Sequence, residues 1–198
     1  MRSLEPLTIG NDIVDLHVDE PQLHERYISR VFTRLEQTRI GRDRTLLWLH
    51  WAAKEAAYKA LKRLMPKLPF IPLRFEFDEK AGLITVGRHT LAVECYLTEE
   101  YVHVTCTNQA LDTQRETFML IHRLSASQAA QPSGAARRIM IEEFSRILKL
   151  PCYRLSIVTH SSAFPFLLID DQPSNHVLSL SHHGRFSAFY FSTPSEER

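Results

Sequence analysis

The chain reads as an α+β protein with mostly antiparallel strands. Three observations carry that expectation. One long stretch, from about Thr45 to Leu64, is rich in Ala, Leu, Lys and Glu with no Gly or Pro inside it, which is the composition of a helix. Short apolar runs separated by hairpin-turn signals follow it, at Glu79-Lys80-Ala81-Gly82 and Val86-Gly87-Arg88-His89. A second helical pattern, Ala135–Leu148, is again followed by short strands.

In order, Thr8-Ile9-Gly10-Asn11-Asp12-Ile13-Val14-Asp15-Leu16 sets apolar residues around a glycine and two carboxylates. It predicts a strand near Leu7–Val14 that turns after Asp12. Helical pattern runs from about Gln22 to Arg30, then a short helix from Arg34 whose Thr33 and Glu36 fit a capping box. The long helix ends at Met65-Pro66-Lys67-Leu68-Pro69, because proline cannot continue it. Strands are expected at Leu73–Phe77, Leu83–Val86, Thr90–Tyr96, Tyr101–Thr107 and Thr117–Ile121. Ser125–Gly134, rich in Ser, Ala, Gln and Pro, reads as a linker or mobile loop. After the second helix come strands near Leu155–Val158, Phe166–Ile169, Val177–Leu180 and Phe186–Ser192, and a polar, frayed tail from Thr193. The chain thus divides into two α+β halves, roughly 1–110 and 120–198.

A net charge of +1 over 198 residues gives no global basic field, which argues against nucleic acid as partner. Cys95, Cys106 and Cys152 are odd in number, lack zinc spacing and sit in apolar contexts, so they read as reduced, buried thiols. The first residues carry no apolar signal core and no run is long enough to span a bilayer. A soluble, cytoplasmic protein is expected.

Three segments carry chemistry. In His50-Trp51-Ala52-Ala53-Lys54-Glu55-Ala56-Ala57-Tyr58-Lys59, Glu55 and Lys59 are four apart and share a helix face, while Trp51 and Tyr58 anchor another face to a core. With Lys54, one acidic and two basic groups suit a metal ion and a polyphosphate together; the plain alternative is a surface Glu–Lys pair. Asp12 at a strand end suits a metal ligand or a helix cap. In Ser179-Leu180-Ser181-His182-His183-Gly184-Arg185, hydroxyl, imidazole and guanidinium donors around a Gly turn suit a phosphate; the plain alternative is a hairpin with polar turn residues. No Gly-x-Ser-x-Gly elbow is present to suggest a serine hydrolase.

Together, Gly10-Asn11-Asp12, Phe32-Thr33-x-x-Glu36, Trp51-x-x-Lys54-Glu55-x-x-x-Lys59 and Ser179-x-Ser181-His182 resemble the motifs of the 4′-phosphopantetheinyl transferase superfamily. The resemblance implies that family's fold: two similar α+β lobes in a pseudo-dimer, with the active site between them. The lobe with the Asp and Lys-Glu motifs would be 1–110 and the Ser-His lobe 120–198, an order opposite to that of the longer surfactin-synthetase-activating type. It implies transfer of 4′-phosphopantetheine from coenzyme A to a serine of an apo-acyl carrier protein or carrier domain, releasing adenosine 3′,5′-bisphosphate. That is holo-acyl-carrier-protein synthase activity, for carriers of fatty-acid, polyketide or peptide synthesis. Mg2+ would be the cofactor and the chain a monomer.

By the same resemblance, Asp12 and Glu55 are the metal ligands, and Glu55 also accepts the serine proton. Lys54 and Lys59 neutralise phosphates. His182, beside Ser181, contacts the 3′-phosphate of coenzyme A, and Arg185 with Arg138 or Arg137 reinforces that anion site. His183 is expected to face solvent. Arg26 and Arg30 either meet an acidic carrier or form a solvated face. Two departures stand out: Asn11 replaces the usual apolar residue before the Asp, and Val14 occupies a position where the longer type often has a third acidic ligand. Asp15, one residue further, would point to the other side of a strand. The rival readings are a non-catalytic carrier-binding module of the same fold and a metal-dependent phosphohydrolase.

Overall fold

The computed structural model describes residues 6–18, 25–108, 115–159 and 164–194. Its strands are β1 (Ile9–Asp15), β2 (Glu76–Asp78), β3 (Leu83–Val86), β4 (His89–Leu97), β5 (Tyr101–Thr107), β6 (Arg115–Arg123), β7 (Leu155–Thr159), β8 (Pro165–Ile169), β9 (Gln172–Pro173), β10 (Val177–His183) and β11 (Phe186–Pro194). Its helices are α1 (Glu25–Val31), α2 (Arg34–Ile40), α3 (Arg44–Leu64), α4 (Ala126–Ala129) and α5 (Pro132–Leu148). Every described strand pairing is antiparallel, as expected for the α+β class.

The first core is α3 laid across a five-stranded sheet of order β1-β5-β4-β3-β2. The Asp43 carboxylate caps α3 by accepting from the Thr45 and Leu46 N–H groups. Ala52, Ala53, Ala56, Ala57 and Ala60 are fully buried, so the helix backbone approaches the sheet closely. Gly10 is required by that approach: a Cβ there would stand 2.0 Å from the Ala56 carbonyl oxygen and 2.6 Å from the Ala60 nitrogen. Trp51 and Tyr58 pack against this core through Tyr27, Phe70 and Phe75.

The second core lies between α5, the sheet β10-β11-β6 and the small sheet β7-β8-β9. Met140, Phe144, Leu178, Phe189 and Phe191 are its fully buried side chains. β1 and β10 lie side by side at the junction, joined through side chains and not by a ladder. Arg63 of α3 bridges the same junction, donating to the Leu178 and Pro165 carbonyls under the Phe164 ring.

Several boundaries differ from expectation. β1 continues past Asp12 to Asp15, held by its ladder to β5. The segment expected as strand Leu73–Phe77 begins as a 3-10 turn, Pro72–Arg74, and only Glu76–Asp78 pairs, because the Arg74 and Phe75 N–H groups donate back to the Ile71 and Pro72 carbonyls. Ser125–Gly134 is not a loop: a Ser125/Gln128 capping box opens α4, and Pro132 starts α5 three residues before the expected Ala135. β10 extends through the whole Ser-His motif to His183. Thr193 and Pro194 belong to β11. Of the cysteines only Cys106 is buried; Cys95 and Cys152 are exposed, against expectation. The expected helix start at Gln22 and the tail after Pro194 lie outside the described residues. No helix among those residues is long and apolar enough to cross a membrane.

Candidate active site

Strand alternation turns Gly10 and Asp12 toward α3 and Asn11 and Asp15 toward β10. Asp12 Oδ1 lies 2.7 Å from Lys59 Nζ, which also donates to the Asn11 carbonyl at 3.0 Å. Glu55 sits one helical turn before Lys59 and is half-buried. Its carboxyl is pushed up to about 7, first by burial and then by the Asp12 charge, while Lys59 pulls the other way. Two mutually repelling carboxylates with one ammonium leave an excess of negative charge, which favours a bound cation. Among the described residues, no group of three or more His, Cys, Asp or Glu side chains assembles. A cation at Asp12 and Glu55 would therefore complete its shell from substrate oxygens and water, the habit of magnesium.

The Ser-His strand delivers His182 to the same region. Its imidazole is lowered by burial and by the Lys59 ammonium, with Asp12 opposing, so all three charges are within electrostatic reach. His182 Nε2 lies 3.0 Å from Ser133 Oγ, in the first turn of α5. Arg137, one turn on, donates to the Ser133 carbonyl and to Thr159 Oγ1. Imidazole, hydroxyl and guanidinium at the start of a long helix suit an anion. Ser133 was hidden in the sequence by its linker-like surroundings, although Pro132 at the first helical position was the signal that would have revealed it.

Five expected roles are redirected. Lys54 does not face phosphate: it is fully buried and donates to Glu36 Oε2 at 2.9 Å and to the Pro72 and Phe75 carbonyls. It lies one residue round the helix from Glu55, which turns it into the core beneath α2. Glu36 meanwhile completes its capping box with Thr33. Ser181 is also buried, and its Oγ accepts from Asn11 Nδ2 at 3.0 Å. Arg185 is committed to Asp15: its Nε and Nη2 reach the two carboxylate oxygens at 2.8 and 2.7 Å and its N–H donates as well. Gly184 makes this possible, with φ of 52° and no room for a Cβ, which would stand 2.5 Å from Asp15 Oδ2. Burial alone would raise the Asp15 carboxyl, but the Arg185 hydrogen bonds hold it well below the carboxylate range. His183 is not solvent-facing, since its Nδ1 accepts from the Asp15 N–H at 3.0 Å. Arg138 lies along Gly134, so Arg137 is the arginine on the Ser133–His182 side.

Beside Lys59, a cleft of about 110 Å³ opens between α3 and the β8–β10 region. Tyr58, Lys62 and Arg63 line one wall, and Phe164, Leu178 and Leu180 the other.

No curated protein matches the chain in a sequence comparison. A family model described as the 4′-phosphopantetheinyl transferase superfamily matches residues 8–112, just over half the chain. That span holds β1 with Asp12 and all of α3 with Glu55 and Lys59. With the antiparallel α+β architecture around them, the chain belongs to the 4′-phosphopantetheinyl transferase superfamily.

Proposed function

We propose that the chain transfers 4′-phosphopantetheine from coenzyme A to a serine of an apo-carrier protein, with Mg2+ as cofactor. The observation that carries this reading is the meeting of Asp12, Glu55 and Lys59 where His182 also arrives. Asp12 and Glu55 would hold the cation, whose chemistry is to polarise the diphosphate oxygens. Lys59 neutralises phosphate charge. Glu55 would accept the serine proton as the hydroxyl attacks phosphorus. The electron pair of the breaking P–O bond leaves with adenosine 3′,5′-bisphosphate. His182, Ser133 and Arg137 would take the 3′-phosphate. The cleft beside Lys59 is suited to the pantetheine arm, being apolar on one wall and basic on the other. Both halves contribute side chains, which favours a single chain of two lobes in permuted order and a monomeric enzyme.

The test is to incubate the protein with coenzyme A, magnesium and a panel of apo-carrier proteins and read intact masses. Gain of one phosphopantetheine, lost on chelation and lost in Asp12→Ala and Glu55→Ala variants that remain folded, is the expected result. Near-full transfer by either variant would break the proposed metal pair. Coenzyme A binding with no transfer to any carrier would favour the non-catalytic carrier-binding module.

A further inference from the structure

Asn11 is fully buried at the junction of β1 and β10, and its backbone N–H, its backbone carbonyl and its side-chain Nδ2 each make a different contact. Its N–H donates to Ser179 Oγ at 3.0 Å. Its Nδ2 donates to Ser181 Oγ at 3.0 Å and lies 3.2 Å from His103 Nε2 on β5. Its backbone carbonyl accepts from Lys59 Nζ at 3.0 Å, the ammonium that sits 2.7 Å from Asp12 Oδ1. One residue therefore ties the Ser-x-Ser strand to the lysine and carboxylate of the candidate active site. The seam is not built for stability. Asn11 Oδ1 and His103 Nδ1 are buried with no hydrogen-bond partner among the described residues, and orphaned polar groups are a cost that an apolar contact avoids. What a directional polar contact adds is a single register. Sliding β1 by one residue against β10 would break all the Asn11 contacts to Ser179 and Ser181, whereas apolar side chains would tolerate the slip. Lys59 is shared between the Asn11 backbone carbonyl and Asp12; if that carbonyl shifts, the ammonium loses the second partner that fixes its place beside Asp12, and the carboxylate loses its set position for a cation.

We propose that Asn11, clamped by Ser179 and Ser181, is a positioning residue for the Asp12–Lys59 pair and thereby for cation-dependent binding of coenzyme A. This rests on the reading of Asp12 and Glu55 as the cation's ligands. It gives the serines of the Ser-x-Ser-His motif a task at the junction, while His182 alone of that motif faces the anion cradle.

The test needs no carrier and no turnover. Coenzyme A binding is measured by calorimetry with Mg2+ and with EDTA for the wild type, Asn11→Leu and Ser181→Ala, with urea midpoints alongside. The expected result is a magnesium-dependent gain in affinity that shrinks about 10–100-fold in Asn11→Leu and about 3–10-fold in Ser181→Ala. Binding in EDTA falls much less, because Ser133 and Arg137 of the anion cradle make no contact with Asn11. An unchanged magnesium-dependent gain in folded Asn11→Leu overturns the proposal. So does a loss equal with and without magnesium that tracks the urea midpoint, since that is a purely structural role. If Asn11→Leu does not fold, Ser181→Ala decides by the same criterion. A wild type that gains no affinity from magnesium while binding coenzyme A in EDTA rejects the metal reading itself, and the inference with it.

Discussion

Replacing Glu36 by alanine strands a charge. Lys54 is fully buried, and without the carboxylate its ammonium keeps the Pro72 and Phe75 carbonyls, the Phe32 ring and the more distant Glu76 charge. The two ends of the pair point opposite ways. At Glu36 burial pushes the carboxyl up, yet contacts with His50, Lys54 and Thr33 win and hold it at about 2. The His50 contact, at 3.6 Å, is longer than a hydrogen bond, so Lys54 and the Thr33 N–H are the firmer partners. At Lys54 burial wins and its affinity for the proton falls, so the pair's net worth is smaller than the Glu36 shift alone suggests. That shift, from 4.5 to about 2, corresponds to about 3 kcal/mol. Breaking a buried pair at one end typically costs about 3–5 kcal/mol, while replacing both ends with apolar residues is often neutral. Glu36→Ala should therefore lower the unfolding free energy by about 3–5 kcal/mol at pH 7, and Glu36→Leu/Lys54→Met should recover most of it. The sign with pH follows from a depressed carboxyl: its contribution is whole above about 4.5 and lost as pH falls toward about 2. The gap between wild type and Glu36→Ala should close across that window. Urea unfolding followed by far-ultraviolet circular dichroism, at steps between about pH 7 and about pH 2, reads both effects. A loss below about 1 kcal/mol, together with loss of coenzyme A binding in Lys54→Met, would refute the reasoning and return Lys54 to the phosphates.

Three further outcomes are expected. His182→Ala should weaken coenzyme A binding by about 10-fold or more but leave binding of 3′-dephospho-coenzyme A little changed; calorimetry with the two ligands decides, and equal losses reject the 3′-phosphate role. Arg185→Ala should lower the urea midpoint, because Asp15 is buried and accepts both its side-chain bonds, while coenzyme A affinity stays at the wild-type level; a selective loss of affinity would restore Arg185 to the anion site. Gly10→Ala should cost about 3 kcal/mol or more, since its Cβ would stand 2.0 Å from the Ala56 carbonyl oxygen; an unchanged midpoint would show that β1 and α3 can move apart.

Much of the local structure was legible in the chain because its signals are local. The Thr33/Glu36 capping box, the uninterrupted helix through Glu55 and Lys59, and the strand Tyr101–Thr107 all stand where propensity, capping and periodicity place them. Leu73–Phe77 carries the alternating apolar pattern of a strand, but the Pro72–Arg74 turn takes up its first N–H groups, a choice the alternation does not reveal. In Ser125–Gly134 small polar residues mask a capping box and a proline helix start.

The sequence by itself determined the α+β class, the family and the pairing of Glu55 with Lys59 on one helix face, since each depends on spacing within a few residues. Only the tertiary structure decided which motif residues face the site. Lys54 and Lys59 lie on different faces of one helix, and the tertiary structure supplies their partners, buried Glu36 for the first and Asp12 for the second. Ser181 and Arg185 are drawn away from phosphate by Asn11 and Asp15, which lie about 170 positions away along the chain. Contacts of that separation depend on how β1 and β10 pack, and no local pattern in the chain encodes that packing.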